Sequence, residues 1–312
     1  MTVLITGSEG FLGKQLAGTL HADGIKVIGV DLIKPAVSEF WPVLTGDVTD
    51  KSFIEQIFSK HKIAHIVHCG GVSGPHVCNQ DPAKVFTVNC QGTLNLFEIA
   101  RLHKFSGRII FLSSSSVYGE AAEKASMHES VHEKWPLLAN EPYGCSKVAC
   151  ESMVRAFAHQ FGMDMVTLRI SIVYGPGRST YCSITEALQA VLAGEPIVLK
   201  KGCDLPLPWV HINDVISVFQ DVLKAPKEKF KKSDTLAYNV TGPGYPTIRQ
   251  IAQIIKTLIP KAVIKESNLP DPYAMNARKM SLDAIKHDLG WEPKVTIEEG
   301  IKSLHAYLTK FR

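Results

Sequence analysis

The run Thr6-Gly7-Ser8-Glu9-Gly10-Phe11-Leu12-Gly13 constrains this chain more than any other stretch. It follows an apolar segment at 3–5 and opens an amphipathic stretch, 11–22, that leads to a second apolar segment at 26–30. Glycine lets such a turn tighten, lets backbone approach a pyrophosphate, and lets the helix lie close to the strand. The helix N-terminus then offers free N–H groups and a partial positive charge to phosphates. Three glycines alone would mark only a tight turn. Strand, turn, helix and next strand within about 30 residues make this a dinucleotide loop.

The same rhythm runs on. Apolar segments at 63–68, 109–112 and 165–170 read as further buried strands, and 52–60, 82–103 and 143–161 read as helices between them. Strand and helix in alternation argue for a parallel sheet covered on both faces. After about residue 170 the rhythm changes. Gly175-Pro176-Gly177 breaks the chain, 183–193 reads as a helix, and Leu205-Pro206-Leu207-Pro208 cannot be one. A strand is expected at 209–212, then a helix through 223 capped by Asp214, a strand at 237–240, a helix at 247–258 and a last helix at 297–308. The expected division is a nucleotide-binding domain over 1–170, to which 209–241 contributes elements. An interleaved substrate-binding cap takes 171–208 and 242–312.

Composition excludes several classes. With 312 residues, 45% hydrophobic and 21% charged, the chain can bury a large core. A net charge of +4 is small for this length, and the densest basic run, 227–232, reads as a solvated stretch, so no nucleic-acid partner is expected. No segment reaches the ~18 uninterrupted apolar residues of a membrane span, and the start of the chain does not read as a signal peptide. Seven cysteines without C-x-x-C spacing suit reduced thiols and a cytoplasmic location. Twelve scattered histidines give no metal site.

Asp31 ends the second strand, where a carboxylate can accept hydrogen bonds from adenosine ribose hydroxyls and repel a 2′-phosphate. This points to NAD over NADP, although Lys34 lies nearby. Asp47 and Val48 either bound the adenine pocket or form a plain turn. Farther on, Tyr143 and Lys147 stand at i and i+4, on one face of a helix. A free tyrosine titrates near ~10, and an ammonium beside it favours the phenolate. The phenolate can take a hydroxyl proton while hydride leaves the same carbon, or return it in reduction. Ser113-Ser114-Ser115-Ser116 follows the 109–112 strand, at the sheet edge where ligands bind. Their four hydroxyls can orient a polyhydroxylated substrate.

These residues and others spread over nearly the whole chain resemble the extended short-chain dehydrogenases/reductases of the NAD-dependent epimerase/dehydratase type. The shared motifs include Thr6-Gly-x-x-Gly-Phe-Leu-Gly13, Asp47-Val48, His68-Cys-Gly-Gly71, Asn89-x-x-Gly92-Thr93, Ser113–Ser116 with Val117-Tyr118-Gly119, and Tyr143-x-x-x-Lys147. Leu168-Arg169, Tyr174-Gly175-Pro176, Val210-His211-x-x-Asp214-Val215, Tyr238-Asn239-Val240 and Leu289-Gly-Trp-x-Pro293 complete them. The resemblance implies an α/β fold: a Rossmann-type doubly wound parallel sheet with a smaller α/β C-terminal substrate domain. It implies NAD as cofactor, held by Gly7, Gly10, Phe11, Leu12, Gly13, Asp31, Asp47 and Val48, with Cys69, Gly70 and Gly71 passing beside it. It implies Tyr143 as acid/base, Lys147 on the nicotinamide ribose, Ser114 as the catalytic serine and Asn89 supporting the site wall. It also implies a homodimer through a four-helix bundle of the 82–103 and 143–161 helices.

The substrate half departs from the family members that act on nucleotide-sugars. Three contacts to the nucleotide or its diphosphate align with Ile172, Leu207 and Asp271, and the last two replace arginines. Without arginines there, a diphosphate loses its charge-assisted bonds. The segment His68-Cys-Gly-Gly-Val-Ser73-Gly74 is instead similar to uronate and aldonate dehydrogenases. Ser73, Ser115 and Ser116 are candidate substrate contacts, and Arg178 could clamp a carboxylate. The expectation is an NAD-dependent dehydrogenase of a small carbohydrate: a sugar, sugar acid or lactone. A nucleotide-sugar epimerase with tightly bound NAD is the alternative. A non-catalytic NAD-sensing protein would carry a broken Tyr/Lys pair, and this one is intact.

Overall fold

The computed structural model describes residues 1–35, 40–124, 129–230, 235–271 and 279–310. Five of its strands are β1 (Thr2–Thr6), β2 (Lys26–Asp31), β3 (Val43–Thr45), β4 (His65–His68) and β5 (Arg108–Ser114). With Asp164–Ile170 and Ala237–Val240 they form one seven-stranded sheet, whose pairings are all parallel. From one edge the order is Ala237–Val240, Asp164–Ile170, β5, β4, β1, β2, β3.

A pleated strand sends successive side chains to opposite faces, so a sheet covered on both sides needs apolar residues at every position. Val3, Ile5, Val67, Ile110, Val166 and Leu168 meet one layer, where Leu16 and Leu20 of α1 (Phe11–Ala22) pack beside Val215, Val218, Phe219 and Val222 of the helix Ile212–Lys224. Leu4, Ile66, Ile109 and Met165 meet the other, against Ile54 and Ile57 of α2 (Lys51–Lys60), Leu96 and Phe97, and Val154 and Phe157. The chain reverses its direction of sheet growth between β1 and β4. That switch point opens a crevice at the C-terminal ends of both strands.

A third apolar cluster belongs to the second half of the chain. Tyr174, Ile184, Leu188, Leu199, Trp209, Ile251, Ile255, Ile301 and Leu304 gather there. Two short parallel pairs border it: Ile172–Tyr174 with Trp209–His211, and Ile197–Lys201 with Ile264–Pro270.

Two sequence expectations are corrected. The helix expected over 82–103 is interrupted: Pro82–Phe86 and Gly92–Leu102 are joined by a π turn, Thr87–Gln91. The cause is tertiary, because Asn89 in that turn bonds the segment after β4 and the Tyr143 helix. Asp214 does not cap the helix that follows the 209–211 strand. His211 Nδ1 accepts from Asn213 N at 3.2 Å as the cap, while Asp214 sits in the first turn and accepts from Lys294 N and Val295 N at 2.9 and 3.1 Å. It thereby pins the segment after Leu289-Gly290-Trp291 to the sheet layer. Of the basic run at 227–232, Lys227 is half-buried and its Nζ donates to Gly162 O at 2.9 Å, and Lys231 and Lys232 lie outside the described residues.

Candidate active site

The glycine loop sits at the switch point. Gly7 has φ of +69°, and a Cβ there would meet the Cys69 carbonyl carbon and Gly70 N at 2.8–2.9 Å. A Cβ on Gly13 would meet Gly7 O at 2.1 Å, so α1 closes on the loop only with glycine there. The N-cap of α1 is Gly10, which brings no side-chain acceptor. The first-turn N–H groups of Phe11, Leu12 and Gly13 are therefore left for an external acceptor. A cradle this bare of side chains fits a pyrophosphate.

Asp31 closes the far end of the loop. Its Oδ2 accepts from Glu9 N at 2.9 Å and its Oδ1 from Ile33 N at 3.0 Å. Asp47 accepts from Thr49 N at 2.8 Å in a plain Asx turn. Val48 is buried against Gly92 and the core, leaving its backbone as the part that can border a ligand.

Tyr143, Lys147 and the serine turn meet at the C-terminal end of β5. Glu141 caps the helix Pro142–Phe161, accepting from Tyr143 N at 2.9 Å and Gly144 N at 2.6 Å, with Pro142 preset at the first helical position. Gly144 permits the approach, since a Cβ there would stand 2.6 Å from Ser116 O. Lys147 Nζ donates to Leu112 O at 2.7 Å, 4.9 Å from the Phe111 ring centroid and 5.8 Å from that of Tyr143. The ammonium is thus pinned to β5 beside the phenol.

The four serines divide their work. Ser114 Oγ donates to Ser116 Oγ at 3.3 Å and accepts from Ser116 N at 3.2 Å, while Ser115 opens a 3-10 turn. Ser113 points the other way: its Oγ donates to Glu151 Oε1 at 2.5 Å, so it is not one of the substrate-facing hydroxyls the sequence suggested. Glu151 also takes Arg169 in a buried ion pair at 2.7 Å, and Arg169 Nη1 donates to Tyr118 Oη and the Glu133 carbonyl, both at 2.9 Å. Tyr118 Oη donates to Asn239 Oδ1 at 2.6 Å. Each charge in this group is paired and hydrogen-bonded, as burial requires. The group fixes β5 and the Tyr143 helix from behind.

A second chain of bonds, which sequence reasoning missed, joins the glycine loop to Tyr143. Gly70 N donates to Thr6 Oγ1 at 3.1 Å, and Thr6 Oγ1 contacts His68 Nδ1 at 2.6 Å. His68 Nε2 contacts Thr93 Oγ1 at 2.9 Å, and Thr93 Oγ1 donates to Asn89 O at 2.5 Å. Asn89 Oδ1 accepts from Val72 N at 2.8 Å, and its Nδ2 donates to Ser146 Oγ at 2.9 Å. Ser146 in turn donates to Tyr143 O at 2.7 Å. Burial, with Lys147 nearby, pushes His68 down to about 3, so it is neutral with one donor and one acceptor nitrogen. Polar residues interrupting otherwise apolar strands (Thr6, His68) were the available signal.

On the substrate side, Ser73 is exposed in the loop after β4. Arg178 donates from Nε to Thr180 Oγ1 at 3.1 Å and from Nη1 to Val173 O. Ile172 N donates to Pro208 O in the strand layer, and Leu207 is buried in the third apolar cluster. Arg249 is held by Asp204 at 2.7 Å and by Glu266.

The chain is similar to several proteins along nearly its whole length. A dTDP-glucose 4,6-dehydratase of Xanthomonas campestris pv. campestris is 26% identical over 337 residues, covering 99% of this chain and 93% of that protein. A UDP-glucuronate 4-epimerase of Thermodesulfobacterium geofontis is 25% identical over 314 residues, covering 96% and 93%. The crystal structure of a Thermus thermophilus UDP-glucose 4-epimerase complex with NAD superposes with a TM-score of 0.85 at 26% identity, covering 99% of each chain. The family pattern itself spans residues 3–241, from the start of β1 to just past the last sheet strand, and the chain belongs to the NAD dependent epimerase/dehydratase family.

Proposed function

We propose that this chain is an NAD-dependent dehydrogenase that oxidises a hydroxyl of a small carbohydrate: a sugar, sugar acid or lactone. NAD, when bound, takes up the carbon's hydrogen with its electron pair. The chain's own residues handle the proton and the position. Tyr143 Oη accepts the hydroxyl proton as the C–O single bond becomes a carbonyl. Lys147, held by Leu112 O, favours the phenolate and binds the nicotinamide ribose. Ser114 holds the reacting oxygen, with Ser115, Ser116 and Ser73 on neighbouring hydroxyls. Arg178 keeps its Nη2 edge for a carboxylate. Gly7, Gly10, Phe11, Leu12, Gly13, Asp31, Asp47, Val48, Cys69, Gly70, Gly71 and Asn89 make the NAD groove.

The observation that carries the reading is that Leu207, aligned with a diphosphate-binding arginine, is a buried apolar side chain. Arg249 is already neutralised by two carboxylates. The second reading, a nucleotide-sugar epimerase that keeps its NAD, draws on the relatives, which act on UDP- and dTDP-sugars. Incubation with NAD and a panel of free sugars, sugar acids, lactones and UDP-sugars separates the two. We expect net NADH with a member of the free series. Interconversion of UDP-sugars without net NADH would establish the epimerase instead.

We also propose the domain division expected above, with 1–170 and 209–241 forming the cofactor half and 171–208 and 242–312 the cap. The second apolar cluster and the third support this split. Seven free thiols support a cytoplasmic location. A homodimer is supported by the exposed Leu94 and Leu102, eight residues apart on one stripe of the helix Gly92–Leu102. Phe161, 52% exposed at the end of the Tyr143 helix, packs beside Arg101 and extends the same patch. Sedimentation at micromolar concentration should show a dimer that Leu94→Glu with Leu102→Glu converts to monomer. A monomeric wild-type chain would sink the proposal.

A further inference from the structure

Asp31 is the residue that the sequence singled out for the adenosine ribose, but it does not stand alone. Glu9, between the first two glycines of the loop, donates its main-chain N–H to Asp31 Oδ2 at 2.9 Å, which sets the two acidic residues side by side. The Glu9 side chain is only 6% exposed. Its Oε2 lies 3.2 Å from Lys14 Nζ, on the exposed side of α1. Its Oε1 is buried and has no hydrogen-bond partner among the described residues. A buried carboxylate oxygen without a donor is costly and rarely retained. Both oxygens of Asp31, by contrast, already accept a main-chain N–H.

We propose that Glu9 is a second cofactor-selecting residue, whose free oxygen accepts a ribose hydroxyl and whose charge, added to that of Asp31, excludes a 2′-phosphate. At the Asp31 end of the glycine loop, the O–H donors that a dinucleotide presents are its adenosine ribose hydroxyls. They supply the hydrogen that Oε1 lacks. A 2′-phosphate supplies acceptors only, and meets two carboxylates; the Lys14 ammonium beside Glu9 is 46% exposed and screened by solvent. Lys34 lies on the exposed segment after β2 and is the other cation of this region. The inference rests on the placement of the dinucleotide along Gly7–Gly13 proposed above.

Calorimetric titration of the full-length chain with NAD and with NADP tests it without any turnover. Glu9→Gln keeps an acceptor and removes the charge. It should tighten NADP by about tenfold, the scale of one like-charge contact removed at a partly screened site, and leave NAD within about threefold. Glu9→Ala removes the acceptor as well and should weaken NAD about fivefold, the worth of one hydrogen bond. Gly13→Val, whose side chain would collide with Gly7 O, should abolish binding of both. If folded Gly13→Val still binds NAD, the placement of the dinucleotide is wrong. If Gly13→Val loses both cofactors but both Glu9 variants keep the wild-type NADP-to-NAD ratio within twofold, the inference about Glu9 is wrong. Should either Glu9 variant fail to fold, titrations of Asp31→Asn, with Glu9 intact, decide: NAD preference must persist there and shrink with rising salt. Its disappearance in Asp31→Asn alone would overturn the role of Glu9.

Discussion

Tyr143→Phe is expected to lower kcat by about 10²–10⁴-fold, the usual contribution of a positioned acid/base, while NAD binding stays nearly unchanged. The substitution removes one oxygen and little else. The ring remains packed with Val72, Cys78 and Val85, and Glu141 caps the helix through backbone groups that the change does not touch. Lys147 keeps its bond to Leu112 O and so its place beside the ring. Lys147→Met should behave differently, because it removes both the charge beside the phenol and the anchor to β5. It should cost kcat and NAD affinity together. Turnover of Tyr143→Phe within tenfold of the wild type would sink the proton-transfer role proposed for this residue.

Acidification from pH 6.5 towards 4 should destabilise the protein through two buried histidines. Burial, aided by Lys147, holds His68 down at about 3, and burial holds His211 at about 4. In the unfolded chain both titrate near ~6.5. Between these values the unfolded state binds protons that the folded state refuses, so stability is full above pH 6.5 and falls as the pH drops. The slope is about 1.4 kcal/mol per pH unit for each histidine, a loss on the order of 5 kcal/mol across the window. Glu133, Glu141 and Asp214 act in the opposite sense, since burial raises them and they take up protons early in the folded state. The difference between variants removes that background. Denaturant titrations at several pH values should show His68→Asn taking up about one proton fewer on unfolding than the wild type between pH 6 and 4. Equal slopes would mean that His68 is not held neutral.

Much of the fold was legible because local chemistry and tertiary demand agreed. The alternating apolar runs became the central strands, since a sheet covered on both faces needs apolar residues on both. The helix at Phe11–Ala22 came out as expected, with the glycine loop setting its start. Short elements escaped. Val43–Thr45, Ile172–Tyr174 and Ile197–Lys201 were not expected as strands, and each has its hydrogen bonds completed by a parallel neighbour.

The candidate site divides along the same line. Residue spacing placed Tyr143 over Lys147 and Ser114 at a strand end, because helical and pleated periods are local geometry. What each side chain faces is a matter of long-range contact, and the sequence was silent there. Ser113 turned inward to Glu151, Asp214 left its own helix end to hold Lys294 and Val295, and the 82–103 helix took a π turn so that Asn89 could bridge Val72 and Ser146. By itself the sequence determined the sheet, the glycine loop and the residues proposed to handle the proton, since these follow from period, spacing and residue type. Only the tertiary structure decided which polar groups are spent inside the protein and which remain open, as the free oxygen of Glu9 does, because a hydrogen bond between residues distant in the chain leaves no mark on local pattern.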